Sequence, residues 1–190
     1  MSGPPSVWTV SDDGDDGDDA APARDVAALL VAALRDAGLT LATAESLTGG
    51  LVAAGVVDVP GASAVLRGGV VAYATDLKHR LLGVDAVLLA ERGAVDPDVA
   101  AAMARGVRER LSADVGVATT GVAGPDPQDG HAAGTVFVAV SLPPVLAARH
   151  GGAEHVVPLA LTGDRAAIRA ATVAVALDVV HMLVTQSSRP

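Results

Sequence analysis

The sequence predicts an α/β protein: a three-layer α/β/α sandwich on a mixed, mainly parallel sheet. Three observations predict it. From Arg24 onward, short apolar strand-like runs alternate with segments of helical period. Hydrophobic residues make up 51% of the 190 but aromatics only 2%, so the core is built from Ala, Val and Leu in thin layers. The last three strand candidates follow one another without a helical segment between them, which points to at least one antiparallel pair.

The elements follow in order. Asp25–Ala37 carries Val26, Leu29, Leu30, Ala33 and Leu34 at helical spacing, and Gly38 is its stop signal. Leu39–Ala44 is a short apolar strand, and Ser46–Gly50 a tight polar turn. A second helix, Leu51–Val57, ends before Pro60-Gly61. Gly69–Ala74 is β-rich, and Asp76 is the expected cap of a helix to Leu82. A short helix at Ala86–Arg92 precedes a clearer one, with Asp96 as N-cap, Pro97 at the first helical position and an end near Leu111. Strands are expected at Val115–Thr119, Thr135–Ser141 and His155–Leu161, joined by the loops Gly121–Gly134 and Pro143–Gly152. Asp164 to Leu183 is the last helix.

Charge divides the chain. Its net charge is −9, and residues 1–23 hold six Asp and no Lys or Arg, which leaves −3 for the rest. Residues 1–23 read as a disordered acidic tail, 24–186 as one domain and 187–190 as a C-terminal tail. An acidic chain without a Lys/Arg cluster is not expected to bind nucleic acid. The N-terminus lacks the basic start and apolar run of a signal peptide. The most apolar stretch, Ala166–Val184, is interrupted by Arg169 and Asp178, so a buried helix is expected there and no membrane span. The absence of cysteine excludes disulfides, thiolate metal sites and a Cys nucleophile, and is compatible with a reducing cytoplasm. The five histidines form no metal-binding pattern, and no metal site is expected.

Four constellations lie at strand ends. Thr43-Ala-Glu-Ser-Leu-Thr-Gly-Gly50 places Ser46 in a strand-to-helix turn, where helix-start N–H groups suit an oxyanion or phosphate and glycines permit close approach. On spacing alone, Ser46 or Thr48 as a simple helix cap is the commoner reading. Tyr73-Ala-Thr-Asp-Leu-Lys78 offers a base or phosphate-binding Lys and a donor Tyr, or else a surface Lys and a core Tyr. Thr119-Thr-Gly-Val-Ala-Gly-Pro125 leads into a Gly/Pro loop that can present amides to an anion. Thr162-Gly-Asp-Arg165 opens the last helix, and Arg165 or Arg169 can grip a phosphate or remain a surface charge. Together they suit Ser-based hydrolysis of an anionic substrate.

These residues resemble the C-terminal domain of the competence/damage-inducible CinA family, the nicotinamide-nucleotide amidohydrolases. The matching stretches are AESLTGGLVAAGVVDVPGAS (44–63), GGVVAYATDLKHRLLGV (68–84), GAVDPDVAAAMARGVRERLSADVGVATTGVAGP (93–125), GTVFVAV (134–140) and LTGDRAAIR (161–169). The resemblance covers about residues 24–184. It implies an α/β/α fold and hydrolysis of the carboxamide of nicotinamide mononucleotide to nicotinic acid mononucleotide and ammonia, a step of pyridine nucleotide salvage. It also implies a cytoplasmic homodimer with a small-molecule nucleotide as substrate, no cofactor and no membrane partner. Its catalytic residues fall on Ser46 as nucleophile, Lys78 as base, Tyr73 and Thr120. The expected substrate contacts are Glu45, Thr48, Gly49, Gly50, Gly121, Gly124 and Arg165. The family's Gly-rich stretch before G-T-V is here DPQDGHAA (126–133), a departure. The N-terminal nucleotide-processing domain of longer relatives has no counterpart, so no pyrophosphatase activity is expected. A non-catalytic nucleotide-binding module of the same fold, and a Ser amidase for another small amide, remain the alternatives.

Overall fold

The computed structural model describes residues 21–186. Most of the expected acidic tail, residues 1–20, and the expected C-terminal tail at 187–190 lie outside them. The chain order is α1 (Ala21–Ala37), β1 (Leu41–Glu45), α2 (Leu51–Val57), a 3₁₀ turn at Ala62–Ala64, β2 (Leu66–Val71), α3 (Thr75–Leu82), α4 (Ala86–Arg92), α5 (Pro97–Arg110), β3 (Val115–Gly121), β4 (Thr135–Ser141), α6 (Pro144–His150), β5 (Glu154–Ala160) and α7 (Arg165–Thr185).

The strands form one sheet in the order β2-β1-β3-β4-β5. β1 runs parallel to both β2 and β3, while β4 is antiparallel to both β3 and β5. Four strands therefore point one way and β4 alone opposes them, which is the mixed, mainly parallel sheet expected. Strand alternation assigns the two faces. Val115, Val117, Val136, Val138 and Val140 pack with α1, α2 and α7. Ala42, Ala44, Ala118 and Ala139 pack with α3, α4 and α5. Small residues are needed on that second face because α5 lies close. A Cβ added at Gly116 would run into the Ala104 carbonyl oxygen.

Several boundaries differ from the sequence reading. α1 begins four residues earlier than Asp25 and takes in the last three residues assigned to the tail. β2 begins three residues earlier than Gly69, because parallel pairing with β1 reaches back to Leu66. β3 continues to Gly121 because its antiparallel partner β4 carries the ladder that far. The segment 143–152, read as a loop, contains α6. Seven residues of helix are too few for a parallel crossover, so β4 and β5 still pair antiparallel. α7 has the length and composition to cross a membrane, with a mean hydropathy of 1.8. In this fold it is a core helix instead, packed on α1, α2 and the sheet.

The sheet's registration positions the site. Thr40 and Asp114 bind each other just before β1 and β3: the Thr40 amide and hydroxyl donate to the Asp114 carboxylate at 2.8 and 2.6 Å, and the Asp114 amide donates back to the Thr40 hydroxyl at 3.0 Å. From there the strands pair without slip, from Leu41 with Val115 to Glu45 with Thr119. Ser46, just past the end of β1, and Thr120, still within β3, therefore lie side by side at the same end of the sheet. α2 leaves β1 toward one face, and the α3–α5 crossover returns to β3 over the other. This is the strand-order reversal at which open α/β sheets hold ligands.

Candidate active site

A cleft opens at the carboxyl ends of β1 and β3, lined among others by Ser46, Leu47, Tyr73, Lys78, Thr120 and Arg165. Sequence reasoning put chemistry on five of these six, and the fold brings all five to one cleft.

Ser46 is the first residue past β1 and is nearly buried. Its amide donates to the Thr119 carbonyl at 3.0 Å, which fixes it to β3. Lys78 is carried on α3 and is fully buried, pointing inward. Its Nζ donates to Ser46 Oγ at 3.1 Å and to the Ala72 carbonyl at 2.8 Å. Burial pushes the Lys78 pKa down from 10.5 to about 8, against a smaller upward pull from the negative charge of Asp129. A buried amine touching a serine hydroxyl, with a pKa near neutrality, is the layout of an activated nucleophile.

Thr120 also lines the cleft, but its hydroxyl proton is committed. Oγ1 donates to the Ala94 carbonyl at 2.6 Å, so only its lone pairs can face a ligand. Tyr73 lines the cleft at its rim and is 58% exposed. Its hydroxyl accepts from Arg165 Nη2 at 3.0 Å, whereas Ser46 and Lys78 bond to each other. Arg165 Nη1 donates to the Gly124 carbonyl at 2.9 Å. Arg165 thus ties the two rims together, with its exposed guanidinium over the opening.

The β1–α2 turn differs from expectation. Glu45 is buried, and its carboxylate accepts the amides of Gly50, Val52 and Ala53 at 2.9, 3.0 and 2.8 Å. The positive start of α2 is therefore neutralised by the chain's own carboxylate, and no substrate anion fits there. Thr48 is fully buried, and its hydroxyl pairs with that of Thr119 at 2.7 Å. Gly49 and Gly50 shape the turn, with φ of 62° and 100°, and lie outside the cleft wall. Glu45, Thr48, Gly49 and Gly50 thus build the turn that presents Ser46, because the α2 amides point back into the protein. Gly121 and Gly124 do line the cleft. A Cβ on Gly121 would sit 2.5 Å from the Thr135 carbonyl oxygen, so only glycine fits there.

One residue escaped the sequence reading. Asp129 faces Lys78 electrostatically from the β3–β4 loop. Residues 128–131 form a two-residue hairpin in which Gln128 and His131 exchange amide bonds of 3.0 and 2.9 Å and Asp129 and Gly130 have φ of 51° and 80°. Asp-Gly is the preferred dipeptide for such a turn and was the available signal. Arg169, read as a possible phosphate ligand, instead donates to the carbonyls of Leu47 and Thr48 at 3.0 and 2.9 Å.

The comparisons agree with this architecture. The profile of the family described as "CinA C-terminal domain" matches residues 23–184. A CinA-like protein of Frankia casuarinae is 51% identical over 144 residues, 76% of this chain and 31% of that protein. A putative competence-damage inducible protein of Desulforamulus reducens is 50% identical over 76% of this chain and 33% of its own length. The chain thus spans about a third of the length of these curated relatives. Among solved structures, the competence/damage inducible protein CihA from Agrobacterium tumefaciens superposes with a TM-score of 0.78 at 33% identity, covering 85% of this chain and 95% of that one. A competence or damage-inducible protein from Enterobacter asburiae gives 0.79 at 28% identity, covering 86% and 98%. On the profile match over residues 23–184, the chain belongs to the CinA C-terminal domain family.

Proposed function

We propose that this chain hydrolyses the carboxamide of nicotinamide mononucleotide, giving nicotinic acid mononucleotide and ammonia, a step of pyridine nucleotide salvage. The observation that carries the reading is the 3.1 Å contact between the buried Lys78 amine and Ser46 Oγ. A carboxamide is a poor electrophile and needs an activated nucleophile. With a pKa of about 8, roughly a tenth of the Lys78 side chains are neutral at pH 7, enough to serve as base. Neutral Lys78 takes the Ser46 proton as Oγ bonds to the amide carbon, and the carbonyl π pair moves onto oxygen. The resulting ammonium gives its proton to the departing nitrogen, the C–N bond breaks and ammonia leaves. Lys78, neutral again, takes a proton from water as its oxygen bonds to the acyl carbon; the C–Oγ bond then breaks, Ser46 recovers that proton from Lys78 and the acid leaves.

The other cleft residues take supporting roles. The lone pairs of Thr120 Oγ1 accept an N–H of the carboxamide and turn the nitrogen toward Lys78. Arg165, held by Tyr73, receives the 5′-phosphate bidentately. The homodimer and the cytoplasmic setting belong to the same proposal.

The test is ammonia and acid release from nicotinamide mononucleotide by the purified chain, beside Ser46→Ala and Lys78→Ala. Both variants are expected to lose turnover. Near wild-type release by Ser46→Ala removes the nucleophile from the scheme. Nucleotide binding without release by the wild type supports a non-catalytic module, and preference for a different amide supports another amidase.

A further inference from the structure

The turn that carries Ser46 has two backbone amides with no acceptor among the described residues. The Ser46 amide goes to Thr119, Gly49 to the Ser46 carbonyl, Gly50 to Glu45 and Leu51 to the Thr48 carbonyl. The amides of Leu47 and Thr48 are absent from this pairing, yet Leu47 is 4% exposed and Thr48 fully buried. Buried N–H groups without partners are rare in folded proteins. Here they sit one and two residues beyond the nucleophile, where an oxyanion formed by attack of Ser46 needs donors.

On the other side of the same turn stands Arg169. Its Nε and Nη2 take the Leu47 and Thr48 carbonyls at 3.0 and 2.9 Å. A trans peptide is planar, with C=O and the following N–H opposed. Holding the Leu47 carbonyl toward α7 therefore turns the Thr48 amide the opposite way. Holding the Thr48 carbonyl does the same for the Gly49 amide, which is found on the Ser46 carbonyl at 3.1 Å. The turn is shaped around the guanidinium: a Cβ on Gly49 would lie 3.4 Å from Arg169 Nη2.

We propose that Arg169 is a positioning residue for the amide hydrolysis, a fork reaching from α7 to lock the Leu47–Thr48 and Thr48–Gly49 peptide planes, which fixes the Thr48 amide directly and the Leu47 amide through the Gly49–Ser46 bond, so that both stay free as oxyanion donors beside Ser46. The inference rests on the hydrolytic reading of the Ser46–Lys78 pair. It also explains why an arginine is needed here. A lysine ammonium is a point donor and cannot hold two carbonyls in the plane of a rigid fork.

The experiment uses the full chain with nicotinamide mononucleotide as substrate and compares the wild type with Arg169→Lys, Arg169→Ala and Ser46→Ala. For Arg169→Lys, kcat is expected to fall about ten- to hundredfold with KM within about twofold, since the interaction is made to the transition state and not to the bound substrate. Guanidinium ion added to Arg169→Ala is expected to restore part of kcat, and to do nothing for the wild type. Thermal unfolding of Arg169→Lys followed by circular dichroism separates this from loss of folded protein. Unchanged kcat, or a raised KM at unchanged kcat, overturns the proposal, and the second result makes Arg169 a phosphate ligand. If Arg169→Ala does not fold, the kcat–KM split of Arg169→Lys decides alone. Retained ammonia release by Ser46→Ala defeats the hydrolytic reading itself. A dead Ser46→Ala beside a fully active Arg169→Lys defeats only the clamp.

Discussion

Lys78 should destabilise the fold at the pH where the protein works, by an amount the structure lets us work out. Its side chain is fully buried and its pKa is pushed from 10.5 down to about 8. At about 1.4 kcal/mol for each pH unit, this is a cost of about 3 kcal/mol for keeping the amine charged inside the protein. The sign follows from proton counts. Below about pH 8 the amine is protonated in both states and the whole cost is present. Between about 8 and 10.5 the unfolded chain holds a proton that the folded chain has shed, so stability rises with pH. Above 10.5 the cost is gone. Lys78→Met has a similar length and cannot titrate. It gives up the bonds to Ala72 and Ser46, and the part of that loss that depends on ionisation is already contained in the lowered pKa. Urea unfolding of both proteins, followed by circular dichroism, should show the wild type gaining about 3 kcal/mol on the variant between about pH 7 and 10.5. Lys78→Met should be inactive throughout. Parallel stability curves would refute the reasoning, since they would mean that Lys78 does not titrate differently in the folded state.

Three further outcomes are expected. The kcat/KM of the wild type should rise with pH through about 8 as Lys78 becomes neutral, and Asp129→Asn, by removing the charge that raises this pKa, should move the limb to lower pH; an unmoved limb removes Asp129 from the site. Glu45→Gln should lose about 1–3 kcal/mol in urea unfolding, because an amide oxygen replaces a carboxylate that accepts three helix-start amides; unchanged stability with weakened substrate binding would return Glu45 to the substrate contacts. Arg165→Met should raise KM with little change in kcat, and Tyr73→Phe should act in the same direction but less, since it removes only the support of the guanidinium; a collapse of kcat at constant KM would place Tyr73 or Arg165 in the chemistry.

The legible part of the site was set by local rules. A strand-turn-helix pattern placed Ser46 at a strand end, a helix start placed Arg165, and a strand ending in Thr-Thr-Gly placed Thr120. Each of these depends on a few neighbouring residues. The turn around Ser46 was misread for a different reason. Acidic and Gly residues beside a helix start fit a ligand cradle and a self-capped helix equally well. The choice depends on whether the Glu45 carboxylate folds back to Gly50, Val52 and Ala53, as it does. The rim position of Tyr73 was not legible because its partner, Arg165, is 92 residues away.

The sequence by itself determined the α/β alternation, most helix limits, the small-residue core and the family to which the chain belongs. These follow from periodicity, capping residues and motif order, which act over one or two turns of chain. Tertiary structure alone decided that Lys78 is buried against Ser46, that Asp129 shares its field, and that Arg169 grips the Ser46 turn from α7. A pKa and a shared hydrogen bond are properties of surroundings. The surroundings of Lys78 come from β1, β2 and the β3–β4 loop, which meet only once the sheet has assembled.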